Sequence, residues 1–333
     1  MERFSKPDTY AAWSKDAEIR YNSTSGGAFS EFAKTILCKG GLVVGAQYNE
    51  KNEVEHTIIN NLDGLKRIRQ SKYTSSSLGD IYIHVKKELN SGKIVAFCGA
   101  PCQVAGLYSY LGQEYDNLFT MDFICRGMNS PKAFQAWLQE IEQEEGSKVT
   151  KVWFKYKKGG WKTSPKRTRI DFNDGHYIIK EADENLFMYG YLHSNLYIRP
   201  CCGMCQFKGV PRNSDITFAD FWGIDEALDD DKGTSLLLVN SEKGRQLFEE
   251  IKENMEVYDK SFAAIFEGNP MFTTSAVVPK EAHDFLKDLD YLSFKDALKK
   301  YGGYPTKKTR YNSLIIKIKD ISKMGMRKFR KGK

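Results

Sequence analysis

Four of the seven cysteines are spaced for shared chemistry. Cys202 and Cys205 lie in Arg199-Pro200-Cys201-Cys202-Gly203-Met204-Cys205-Gln206-Phe207-Lys208. A two-residue spacer lets both sulfurs reach one metal centre. Cys102 follows the apolar run Lys93 to Cys98, after the break Gly99-Ala100-Pro101, and opens a helical pattern. Cys125 closes a second apolar run, Leu118 to Ile124. A helix start favours thiolate at Cys102 through its dipole and free N–H groups. Lys208 and Arg199 can offset the charge of gathered thiolates. Taken alone, a Cys-x-x-Cys pair suits zinc, an iron–sulfur cluster or dithiol redox work. Four converging thiols favour a shared metal centre, and spacing does not separate zinc from iron–sulfur. Cys38 and Cys98 sit on apolar elements and read as core residues, and Cys201 as a spare thiol.

A second set of residues suits an anion. Ser23-Thr24-Ser25-Gly26-Gly27 precedes a helical pattern from Ala28 to Leu37. Glycines permit close backbone approach to a phosphate, and a helix start supplies N–H donors. An ordinary capped helix explains the same residues equally well. The loop Gln70-Ser71-Lys72-Tyr73 adds a cation, hydroxyls and an aromatic plane, or is merely solvated. His56 reads as a hydrogen-bonded strand histidine.

These residues must be positioned by an α/β fold with mixed sheets. The pattern 94–98, 102–111, 118–125 is a strand–helix–strand unit, which favours parallel strands joined by a right-handed crossover. Both strands then end at one sheet edge, where ligand sites gather, so Cys102 and Cys125 should meet there. Residues 42–46 and 54–59 predict two strands of a small sheet, with helices over 62–69, 81–89 and 132–146. A β-rich, basic stretch covers 149–177, and further strands are expected at 215–223 and 235–240, with a helix over 242–255. The domains expected are a small N-terminal α/β subdomain, 1–79, a larger domain, 80–260, and a helical, basic extension, 261–333.

The chain has 333 residues, 41% of them hydrophobic, which suffices for about two domains with a core. No apolar run is long enough to span a membrane, and the first residues lack a secretory h-region. Seven cysteines without an export signal point to a reducing cytoplasm, where spaced thiols bind metals or catalyse. The net charge is +7, but Lys307 to Lys333 carries eleven lysines and arginines against Asp320 alone. The rest is mildly acidic, which excludes a basic nucleic-acid binder. Leu314, Ile315, Ile316, Ile318, Ile321, Met324, Met326 and Phe329 are interleaved with those cations. Such a tail is either a solubilising end or an amphipathic helix lying peripherally on the anionic inner face of a membrane.

The set as a whole resembles the beta-subunit family of coenzyme F-420 hydrogenases and dehydrogenases. The likeness rests on Ser23 to Phe29, Gln70 to Tyr73, Gly99-Ala100-Pro101-Cys102-Gln103-Val104-Ala105-Gly106-Leu107, Cys125-Arg126-Gly127 with Ser130-Pro131, Arg199-Pro200 with Cys202 and Cys205, and Asp215 to Gly223. It spans roughly residues 10 to 260. The resemblance implies an FAD-binding oxidoreductase with a 4Fe-4S cluster held by Cys102, Cys125, Cys202 and Cys205. Ser25, Gly26, Gly27, Ser71, Lys72 and Tyr73 would face the flavin. Many relatives carry an N-terminal ferredoxin-like domain, whereas no cysteine here precedes Cys38. Electrons are therefore expected from a separate donor protein such as a ferredoxin. Arg126 stands where relatives often have histidine, and the hydride acceptor or donor is a deazaflavin or another small molecule. Short members of this kind resemble those found beside surface-polysaccharide genes. The competing reading is a binding or scaffold protein whose four cysteines hold structural zinc.

Overall fold

A computed structural model describes residues 2–162 and 167–306. The expectations for the basic tail, from Lys307 onward, lie outside the described residues. The elements, in chain order, are β1 (Asp8–Ser14), α1 (Ala17–Tyr21), α2 (Ala28–Cys38), β2 (Leu42–Tyr48), β3 (Val54–Ile59), α3 (Leu62–Ile68) and α4 (Ile81–Asn90). There follow β4 (Val95–Cys98), α5 (Pro101–Leu111), β5 (Leu118–Phe123), α6 (Pro131–Glu145), β6 (Val149–Trp153), β7 (Thr168–Phe172), β8 (Tyr177–Lys180) and α7 (Leu186–His193). The remainder comprises β9 (Ile216–Asp220), β10 (Ser235–Val239), α8 (Glu242–Ile251), β11 (Met255–Lys260), α9 (Ala264–Gly268), α10 (Ala282–Asp288) and α11 (Phe294–Lys300).

Eight strands form one mixed sheet in the order β11-β1-β10-β9-β5-β4-β2-β3. Its centre, β2, β4, β5 and β9, is parallel. The strand–helix–strand unit expected over 94–125 is present as β4-α5-β5. Val95, Ala96 and Phe97 are fully buried, as a central strand covered on both faces requires. The β2–β3 hairpin was expected in a small sheet of its own, yet β2 pairs with β4 and extends the large sheet. An apolar run such as Leu42-Val43-Val44 satisfies its backbone best against another buried strand. Residues 8–14, read only as an entry segment, supply β1, which lies between β10 and β11.

The antiparallel sheet β6-β7-β8 packs with α6, α7, α10 and α11 around Phe134, Trp137, Phe187, Tyr197, Phe285 and Phe294. Tyr48 and Tyr73 pack against this core. The large sheet therefore meets this second layer at the C-terminal ends of its parallel strands.

Candidate functional site

At that edge the chain turns sharply three times. Beyond β4, Gly99 N donates to Met121 O at 3.1 Å, and Gln103 Oε1 accepts from Ala100 N at 2.9 Å. This caps α5 and places Cys102 in its first turn, behind Pro101. Beyond β5, Ile124 N donates to Phe218 O at 3.0 Å, so Cys125 leaves the sheet beside β9. Gly127 has φ 153°, and an added Cβ would stand 2.9 Å from Ile198 Cγ2. The third turn, Pro200–Met204, is tied to the second: Arg199 N donates to Met128 O at 2.8 Å, and Cys202 N closes on Arg199 O at 2.9 Å.

The result is a cavity lined by Cys102, Cys125, Cys202 and Cys205 together. Met128 N donates to Cys202 Sγ at 3.5 Å, and Cys205 N to Ser275 Oγ at 3.2 Å. Lys208 Nζ donates to the carbonyls of Cys125 and Met271 at 2.5 and 2.8 Å. Burial pushes the Cys125 thiol up to about 12, against the pull of Lys208. Cys102 and Cys202 are also raised, by burial first and then by neighbouring thiols. Thiols so crowded hold their protons unless a cationic centre replaces them. Among the described residues, no three His, Cys, Asp or Glu side chains gather around a single ion. Four thiols nonetheless line one cavity. Of the remaining cysteines, Cys38 is exposed rather than in the core, Cys98 is partly buried, and Cys201 is exposed beside the pair.

The two loops expected to face a flavin lie against each other. Ser71 N donates to Thr24 Oγ1 at 2.8 Å, and Gln70 Nε2 to Asn22 O at 2.9 Å. Ser25 Oγ donates to Thr234 O at 2.5 Å. The glycines also answer to a constraint beyond the one expected. A Cβ on Gly26 would collide with Ala12 O and Ser235 N, and Gly27, at φ 91°, lies against Ile19, Arg20 and Ser14. The chain's own packing thus demands both. At the start of α2, the amides of Ser30 and Glu31 turn back to Gly27 O. Those of Ala28 and Phe29 have no intrahelical partner. Lys72 Nζ donates to the carbonyls of Arg67, Arg69 and Gln70, closing α3, and burial lowers it to about 7.

Tyr73 joins the two regions. Its ring lies 5.9 Å from that of Tyr191, whose hydroxyl donates to Gly127 O at 3.3 Å, beside Cys125. Asn129 Nδ2 donates to Tyr73 O at 2.8 Å. Around this junction several buried polar atoms lack partners: Tyr48 Oη, His56 Nδ1, Arg69 Nη1, Asn129 Oδ1 and Trp153 Nε1. Buried donors and acceptors rarely stay unpaired in a finished site. Lys72 lies 5.9 Å from the Tyr48 ring, and Lys151 5.5 Å from the Trp153 ring. Lys155 pairs with Asp220 at 3.1 Å and lies 4.4 Å from the Trp222 ring, which stacks on Trp161. Sequence reasoning missed these basic and aromatic residues. Their signal is the alternation Lys151-Val152-Trp153-Phe154-Lys155-Tyr156-Lys157.

Two family models match the chain, both for the beta subunit of coenzyme F420 hydrogenase/dehydrogenase. The model of its N-terminal part matches residues 9–81, and the model of its C-terminal part matches residues 92–263. The chain belongs to this family. Among solved structures, this beta-subunit family member is similar to a chain of the F420-reducing [NiFe] hydrogenase complex from Methanosarcina barkeri, studied by xenon derivatization. The two are 16% identical with a TM-score of 0.52, over 89% of this chain and 92% of that one. The likeness shows a shared α/β fold. No curated protein matches. No described helix is long and apolar enough to cross a membrane.

Proposed function

We propose that this beta-subunit family member is an iron–sulfur flavoprotein oxidoreductase. The carrying observation is the lining of one cavity by Cys102, Cys125, Cys202 and Cys205. These thiols would hold a 4Fe-4S cluster, and the loops of Ser25-Gly26-Gly27 and Ser71-Lys72-Tyr73 would border FAD. When bound, the flavin exchanges a hydride with a small molecule and single electrons with the iron–sulfur centre. The chain's residues do the holding. Lys157 fastens the Ser25 loop by donating to the carbonyls of Arg20 and Ser25, Lys151 would supply positive charge for a diphosphate, and the amides of Ala28 and Phe29 would supply donors at a helix start. Tyr73 and Tyr191 fill the space between the two regions and exclude water from it. Family membership supports an oxidoreductase, and the neighbour's multi-subunit setting supports a separate electron-donor protein such as a ferredoxin.

Protein purified without oxygen should be brown, with about four irons and four sulfides per chain. It should bind FAD in equilibrium dialysis, and Cys202→Ser should lose iron. Stoichiometric zinc without iron would overturn the cluster reading and favour a structural centre.

A further inference from the structure

The cations that line the thiol cavity do not carry equally available charge. Arg212 Nη2 pairs with Asp122 at 2.7 Å, and both side chains are buried, so their charges cancel. Arg126 donates to the carbonyls of Tyr191 and Leu192 and to Asn195 Oδ1, closing the carbonyl end of α7. Lys208 differs. Its Nζ is held by the carbonyls of Cys125 and Met271, and no carboxylate pairs with it among the described residues. The sulfurs of Cys125, Cys205 and Cys202 lie near it and would be anionic once they hold a centre.

We propose that Lys208 is a positioning residue that sets the reduction potential of the centre held by the four cysteines. This rests on the iron–sulfur reading above. A four-iron core with four thiolates is a dianion when oxidised and a trianion after gaining one electron. A fixed cation in a partly buried wall therefore favours the reduced form. Its two carbonyl bonds also fasten the Cys125 turn to the Met271 turn, so charge and fastening must be separated. Lys208→Gln retains an N–H donor without charge, Lys208→Met removes both, and Lys208→Arg retains the charge.

The test is a dithionite titration of the full chain, reconstituted anaerobically with iron and sulfide. The reduced centre is followed by electron paramagnetic resonance, and iron is counted in every sample. In K208Q and K208M the ratio of reduced to oxidised centre at the wild-type midpoint should be about tenfold lower, a shift of about 59 mV for one electron. K208R should remain near wild type. Iron-replete K208Q and K208M that titrate together with wild type would overturn the proposal. If K208Q and K208M fail to retain iron while K208R retains it, the charge serves assembly of the centre and not its potential, which overturns the assignment. Iron loss in K208R as well would reduce Lys208 to a steric role and overturn it. Wild-type protein that takes up no iron would instead defeat the iron–sulfur reading itself.

Discussion

His56 is stacked on Phe97, with Nε2 3.1 Å from Cys98 O, and burial lowers its pKa to about 4. The unfolded chain protonates this residue near 6.5, the folded chain only near 4. Below 6.5 the unfolded state binds the extra proton, so stability falls as pH falls from about 6.5 towards 4. The loss should approach roughly 3 kcal/mol. Urea midpoints measured between pH 7 and 4.5 should show this slope in the native protein and a shallower one in His56→Gln. Trp153 makes the opposite kind of test. Its buried Nε1 has no partner, so Trp153→Phe removes no internal bond. The melting temperature should fall only by what the smaller ring loses in packing, while flavin affinity falls up to about tenfold, the worth of one hydrogen bond. Arg212 belongs to a finished network with Asp122 and Thr217. Arg212→Met leaves Asp122 buried without its cation and should cost about 3–5 kcal/mol in denaturant unfolding.

At the scale of elements, the thiol side of the site was legible. The β4-α5-β5 unit announces itself by two apolar runs around Pro101 and Cys102, and parallel pairing delivers Cys102 and Cys125 to one edge. Cys202 and Cys205 reach that edge only because the 126–130 and 197–202 segments pair, through bonds that leave no periodic trace in the sequence. The strands β1 and β11 were harder to see. Asp8-Thr9-Tyr10-Ala11-Ala12-Trp13-Ser14 lacks branched apolar residues, and Met255 to Lys260 is half charged. The glycine motif was legible as a constraint but not as its cause, since a phosphate and a neighbouring strand both call for the absence of a side chain. Gly26→Ala should accordingly destabilise the protein by about 1–3 kcal/mol whether or not FAD is present. A loss of stability confined to the flavin-bound form would instead restore the phosphate explanation.

For the molecule as a whole, the large sheet binds the two ends of the family-matched region. Thr9 lies opposite Leu238 on one side and Lys260 on the other. A chain starting at Lys15 should therefore not fold to a cooperative state, as heat denaturation followed by circular dichroism would show. The same pairing has a consequence for biosynthesis. A ribosome makes β1 long before either strand that flanks it, β10 or β11. Until residues 235–260 follow it, the Tyr10 to Trp13 segment is an unclaimed strand, open to other chains. Chaperone occupancy on nascent chains should peak over this segment and fall once residue 260 has left the exit tunnel.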